Sequence, residues 1–204
     1  MNIAISISGN VDFDLNEFTK KYHIDKWIAV DGGYDHLIKY NIKPEILIGD
    51  MDSIRSDYNN VDIIKLETKK LLTDYQIAKQ YVLDNYKNPK IHLVGIVGTE
   101  RLEHFISNLR LLDDITTMYT KNNIILAMCD RHELSIKNEN HEFISFLAIE
   151  EIKNLNVVGC LYNIENMNLS NDNITCISNE FEQDEITIKK DSGKLMIMLS
   201  GTYL

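Results

Sequence analysis

A chain of 204 residues with 44% hydrophobic and 25% charged side chains has the length and apolar content to bury a core, which excludes a disordered chain. Its 31 acidic residues against 21 Lys and Arg give a net charge of −10, and without a basic cluster this argues against a nucleic-acid partner. The apolar runs, such as residues 124–128, fall far short of the roughly 20 residues a membrane span needs, and residues 1–5 lack the basic region of a signal peptide, so a cytoplasmic location is expected.

The first half alternates short β-branched runs with helical stretches. Strands are predicted at 3–8, 27–30, 46–48, 62–66, 91–95 and 117–120, with helices at 15–22, 34–40, 74–85 and 102–112 between them. This alternation predicts βαβ units and an α/β fold: an N-terminal, mainly parallel, Rossmann-like sheet with flanking helices. Such sheets bind ligands beyond the carboxyl ends of their strands. After about Leu126 the texture changes to short alternating runs at 141–149, 161–164, 173–178, 185–190 and 194–199, separated by Asn, Asp and Gly. A small antiparallel β-sandwich domain is expected there, with the join near residue 130. Cys129, Cys160 and Cys176 lack the close spacing of a metal knuckle and are read as reduced and structural.

Four motifs fall at strand ends. The predicted strand 46–48 runs into Gly49-Asp50-Met51-Asp52-Ser53, and an extended Asp-x-Asp points both carboxylates the same way, which suits two ligands of one hard cation. A solvated turn uses the same residue types. Asp31-Gly32-Gly33 closes the preceding strand and opens a helix; its glycines let the main chain approach a phosphate or nucleotide, although a plain turn also fits. Thr73 and Gln76 match a capping box, and Asp74 at that helix start offers a third carboxylate for Mg²⁺. After Gly95, a further helix places Arg101, His104 and Asn108 on one face, with Arg101 as a charge clamp for a pyrophosphoryl group; a surface helix with ordinary charges would look similar.

Taken in order, Asp31-Gly32-Gly33, Gly49-Asp50-Met51-Asp52-Ser53, Thr73-Asp74 and Arg101-Leu102-Glu103-His104 resemble the successive motifs of thiamine pyrophosphokinases. Lys43-Pro44-Glu45, Asn108, Gly159-Cys160-Leu161-Tyr162-Asn163 and Ser178-Asn179-Glu180 extend the resemblance over nearly the whole chain. It implies transfer of a pyrophosphoryl group from ATP to thiamine, with Asp50, Asp52 and Asp74 holding Mg²⁺ and Arg101 joining them in catalysis. It implies a nucleotide side formed by Asp31, Gly32, Gly33, Thr73, Glu103, His104 and Asn108, and a thiamine side formed by Tyr162, Ser178 and Asn179. Residues 1–130 would then be the nucleotide- and Mg²⁺-binding catalytic domain and 131–204 the thiamine-binding domain, in a homodimer whose subunits share their active sites.

The chain departs from the family pattern at Leu71, where an acidic residue is usual, and at Gln76, Glu103 and Cys176. Leu71 can neither coordinate a cation nor accept a hydrogen bond. Two other readings therefore stay open: a catalytically weakened member that binds thiamine or its diphosphate, and a diphosphokinase for another alcohol such as a pterin.

Overall fold

Strands that are apolar on both faces need cover on both sides, and the N-terminal half supplies it. A computed structural model describes residues 1–98 and 102–201. The chain divides into two compact units, the first made of Met1–Asn108 with Met118–Lys121, the second of Leu109–Thr117 with the residues from Asn122 onward.

In the first unit β1 (Asn2–Ser6), β2 (Lys26–Val30), β3 (Ile46–Gly49), β4 (Asp62–Lys65) and β5 (Lys90–Val94) form a parallel sheet in the order β4-β3-β2-β1-β5. Ile3, Ile5, Ile28, Leu47, Ile48 and Leu93 are wholly buried, as strands covered on both faces must be. The Met118–Tyr119 end of β6 (Thr116–Tyr119) also belongs to this unit. The helices are α1 (Leu15–Lys21), α2 (Gly33–Lys39), α3 (Asp74–Asn85) and α4 (Leu102–Arg110). Asp14 caps α1 by accepting from the amides of Asn16 and Glu17. Thr73 and Gln76 form the expected reciprocal capping box on α3. α2 packs against β1 and β2, and α3 against β2 and β3.

Within residues 122–201 the second unit contains β7 (Asn123–Met128), β8 (Glu133–Lys137), β9 (Phe143–Ala148), β10 (Ile152–Val158), β11 (Ile164–Leu169), β12 (Glu185–Lys189) and β13 (Leu195–Ser200). β13 lies antiparallel between β7 and β9, and a four-stranded antiparallel sheet runs β11-β10-β12-β8. Along β9 buried and half-buried side chains alternate, the signature of a sheet with one face on a core.

Several expected strands move. Residues 173–178 are a loop, because the Asn173 side chain accepts from the Thr175 amide at 3.0 Å and its hydroxyl at 2.8 Å, and Ser178 is left-handed at φ 54°. Residues 161–163 turn instead of extending, held by Asn163 Oδ1 accepting from the amides of Gly159 and Cys160, and the strand starts only at Ile164. β10 and most of β11 were hidden by asparagines that read as turn residues. Asn154 and Asn166 do adopt positive φ (53° and 48°), but inside strands whose register shifts at bulges. The three cysteines are free thiols, with Cys160 and Cys176 buried; burial pushes the Cys160 thiol up to about 11. Among the described residues no helix is long and apolar enough to cross a membrane.

One buried group makes the first unit sensitive to acid. His92 on β5 is 8% exposed, its Nδ1 lies 2.9 Å from the Tyr119 hydroxyl, and its Nε2 has no hydrogen-bond partner among the described residues. Burial, helped by Lys90, lowers its pKa from 6.5 to about 4. Below 6.5 the unfolded chain takes up a proton that the folded one refuses, so stability is complete above that pH and is lost as pH falls towards 4. Urea unfolding followed against pH should show a loss of up to roughly 3 kcal/mol across this window, a component that disappears in His92→Gln.

Candidate active site

The site grows from the carboxyl ends of the parallel strands. β3 ends at Gly49, whose φ of 154° few side chains adopt and whose missing Cβ would stand 1.7 Å from Asp31 Oδ1. Glycine is required there so that the Asp31 carboxylate can lie against the backbone that leads into Asp50. Asp31 and Met51 are themselves left-handed, at φ 46° and 70°, a local strain held in place by the surrounding structure. The Met51 amide donates to Asp31 Oδ1 at 3.4 Å. Burial, reinforced by the charges of Asp74 and Asp50, raises the Asp31 carboxyl to about 6.

A set of long-range bonds fixes the Asp-x-Asp loop to α2. Asp35 accepts from the amides of Arg55 (3.0 Å) and Ser56 (2.8 Å), the Gly32 amide donates to Ser53 Oγ at 3.0 Å, and the Tyr34 hydroxyl donates to the Asp57 carbonyl at 3.2 Å. α2 is itself pressed onto β1: a Cβ on Gly33 would fall 2.0 Å from the Ser6 carbonyl oxygen. Burial lowers the pKa of His36 on the same helix, and its Nε2–H donates to the Gly9 carbonyl at 2.7 Å. Gly9 and Asn10 in turn donate to the carbonyls of Gly95 (2.8 Å) and Val97 (2.5 Å), tying the loop after β1 to the loop after β5.

These loops enclose a cavity of about 420 Å³, within the range of small-molecule sites. Asp31, Asp50, Asp52, Asp74 and Glu103 line it, with His104 and Asn108 from α4 and Thr73 at the cap of α3. Hydroxyls of Ser8, Ser53 and Ser107 complete its polar character, and among the described residues its lining has no lysine or arginine. Gly32 and Gly33 lie at the start of α2, outside the lining. Asp50, which shares a hydrogen bond with Asp52 and repels it, raises the Asp52 carboxyl above the ordinary range. Asp74 Oδ1 is 2.9 Å from the ammonium of Lys70, which Asp74 first, and then Asp50 and Asp31, hold above the ordinary lysine range. Among the described residues no three Asp, Glu, His or Cys side chains already enclose a point where an ion could sit. Arg101 lies outside the described residues.

The expected thiamine side falls in the second unit. Asn179 binds the main chain of Tyr162 twice, donating from Nδ2 to its carbonyl at 2.7 Å and accepting from its amide at 3.0 Å. The Ser178 amide donates to Ser145 Oγ at 2.9 Å. Tyr162 stays 70% exposed, so its ring is not core packing.

Asp35, His36 and Lys70 are supporting residues that sequence reasoning did not single out. Asp35 and His36 act on partners at least 20 positions away, so no local pattern marks them. Lys70 had a signal in its i,i+4 spacing to Asp74.

Fold and site together define an enzyme built from a parallel α/β unit with an acidic ligand cavity and an antiparallel β unit. The family model described as "Thiamin pyrophosphokinase, catalytic domain" matches residues 19–126, and that described as "Thiamin pyrophosphokinase, vitamin B1 binding domain" matches residues 131–195. Thiamine pyrophosphokinase of Bacillus subtilis (strain 168) is 30% identical over 99% of this chain and 98% of its own. The crystal structure of thiamine pyrophosphokinase from Bacillus subtilis superposes with a TM-score of 0.87 at 27% identity, covering 99% of this chain and all of that one. A thiamin pyrophosphokinase structure from Geobacillus thermodenitrificans, at 24% identity and a TM-score of 0.86 over 99% of this chain and 98% of that one, shares the fold. The chain belongs to the thiamine pyrophosphokinase family.

The scaffold role of Asp35 has a direct readout. In Asp35→Ala the amides of Arg55 and Ser56 lose their acceptor, and their hydrogen exchange should accelerate at least about tenfold with the far-UV spectrum unchanged. Gly49→Ala, which drives a Cβ into Asp31, should lower unfolding free energy by about 2 kcal/mol or more in urea.

Proposed function

We propose that the protein transfers a pyrophosphoryl group from ATP to thiamine, with Mg²⁺, and releases AMP and thiamine diphosphate. The observation that carries this reading is the convergence of Asp31, Asp50, Asp52 and Asp74 on one cavity at the carboxyl ends of the sheet, in a chain of this family. The donors suit Mg²⁺: all are hard carboxylate oxygens, and Asp74 Oδ1 is buried without an aligned hydrogen bond. Asp50, Asp52 and Asp74 would hold the ion. Bound there, it would neutralise the polyphosphate and hold it for in-line displacement.

The chain's own groups position the reactants. Thr73, His104, Asn108 and the Asp31-Gly32-Gly33 turn face or flank the nucleotide, Glu103 contributes from α4, and Arg101 neutralises the transferred group. The thiamine hydroxyl attacks the β-phosphorus; its O–P bond forms as the bridging P–O bond to the α-phosphate breaks, the electron pair leaves with AMP, and the hydroxyl proton is released to solvent. Tyr162 stacks on the cationic heterocycle, Asn179 holds the Tyr162 segment, and Ser178 forms the pocket edge. Residues 1–130 act as the catalytic domain and 131–204 as the thiamine domain, in a cytoplasmic homodimer that shares its sites between subunits. Supporting the dimer, Leu161, Tyr162, Ile174 and Ile177 of the second unit are between 47% and 70% exposed, apolar surface that a partner subunit would cover. Leu71 is fully exposed and outside the cavity lining, so the acidic complement of the cavity is set without an acid at that position.

Incubated with ATP, Mg²⁺ and thiamine, the protein should form AMP and thiamine diphosphate one for one by mass detection, with no product from a pterin alcohol. Asp52→Asn should slow turnover on the order of 100-fold or more; a near-normal rate would remove the cation assignment. Tyr162→Ala should raise KM for thiamine about fivefold or more with little change in kcat.

A further inference from the structure

Lys70 occupies the loop between β4 and α3, and among the described residues its ammonium meets Asp74 Oδ1 at 2.9 Å and the Glu67 carbonyl, which accepts from it at 3.2 Å. The Lys70 and Asp74 side chains are 18% and 25% exposed, so solvent and salt screen this pair less than a surface pair. Yet Asp74 Oδ1, shut off from solvent, receives no well-aligned hydrogen bond. The contact is a part-buried ion pair at hydrogen-bonding distance, whose alignment is poor. A flexible four-carbon stem can move such a charge without disturbing the fold.

We propose that Lys70 is a tethered counter-cation that competes with a divalent metal ion for Asp74 and must swing away before that carboxylate can join Asp50 and Asp52 as a ligand. The inference rests on the reading of these three aspartates as the ion's ligands. It accounts for their arrangement: Asp50 and Asp52 are already adjacent, whereas Asp74, on the same cavity, is engaged by an ammonium. It also gives the displaced lysine a destination. An ammonium released beside an acidic cavity is drawn to the oxygens of an incoming polyphosphate, so metal and nucleotide should bind with positive coupling, each strengthening the other by the same factor.

The test is Mn²⁺ binding, read by electron paramagnetic resonance on the purified protein with and without a non-hydrolysable ATP analogue. Without nucleotide, Lys70→Met and Lys70→Gln should each bind Mn²⁺ roughly three- to tenfold more tightly than the wild type, while Lys70→Arg stays at the wild-type value. The extra affinity for Mn²⁺ conferred by the analogue should shrink in the two neutral variants. Unchanged or weaker Mn²⁺ binding in a neutral variant with native circular dichroism overturns the inference, as does a lack of Mn²⁺ binding in every form. Turnover of the wild type reports separately. An active wild type with no gain of Mn²⁺ affinity in the variants sinks the role of Lys70 alone, whereas an inactive wild type sinks the proposed reaction whatever Mn²⁺ does.

Discussion

Carboxylates repel one another, and the first unit spends much of its architecture keeping several of them at one rim of a sheet. The electrostatic signs of that crowding are local and consistent. Burial and its acidic neighbours raise the Asp31 carboxyl to about 6, and Asp50 raises Asp52. Among the described residues, the Met51 amide on Asp31 and Lys70 on Asp74 oppose the repulsion near these groups. The carboxylates among the described lining residues would repel a polyphosphate, and a cation between the two would offset that repulsion.

Holding mutually repelling groups in place needs a stiff frame, and α2 provides it. Through Asp35 it caps two amides of the 50–57 loop, through Tyr34 it anchors the end of that loop, and through His36 it reaches the loop after β1. Each bond crosses at least 20 residues of sequence, so the rim is braced by the tertiary fold and not by local turn preferences. The left-handed backbone at Asp31 and Met51 is affordable for the same reason, since the neighbouring contacts over-determine it.

Much of the first unit was legible from residue order because its signals are strong and local. Continuous β-branched runs marked the buried parallel strands, and the 74–85 helix carried its start in Thr73 and Gln76. Asp50, Asp52 and Asp74 could be placed at one cavity because each follows a strand or opens a helix, and parallel topology brings those ends together. What could not be read depends on distance or on context. The partners of Asp35 and His36 are far away in sequence, and the ion pair that occupies Asp74 is visible only in three dimensions. In the second unit, Asn154 and Asn166 are bulge residues that look like turn residues, so two strands were missed or shortened, while Asn173 formed the very turn its neighbours' β propensity concealed.

The outer margin of the parallel sheet shows a different kind of economy. Among the described residues β4 pairs with β3 alone, and its other side is a row of amides and carbonyls onto which a foreign strand could add. It is only four residues long and begins and ends with a charge, Asp62 and Lys65, flanking an Ile63 that is 41% exposed. With only four residues to pair, the strand offers a short template for recruiting other chains, so the sheet that carries the acidic rim leaves little of its border open to them.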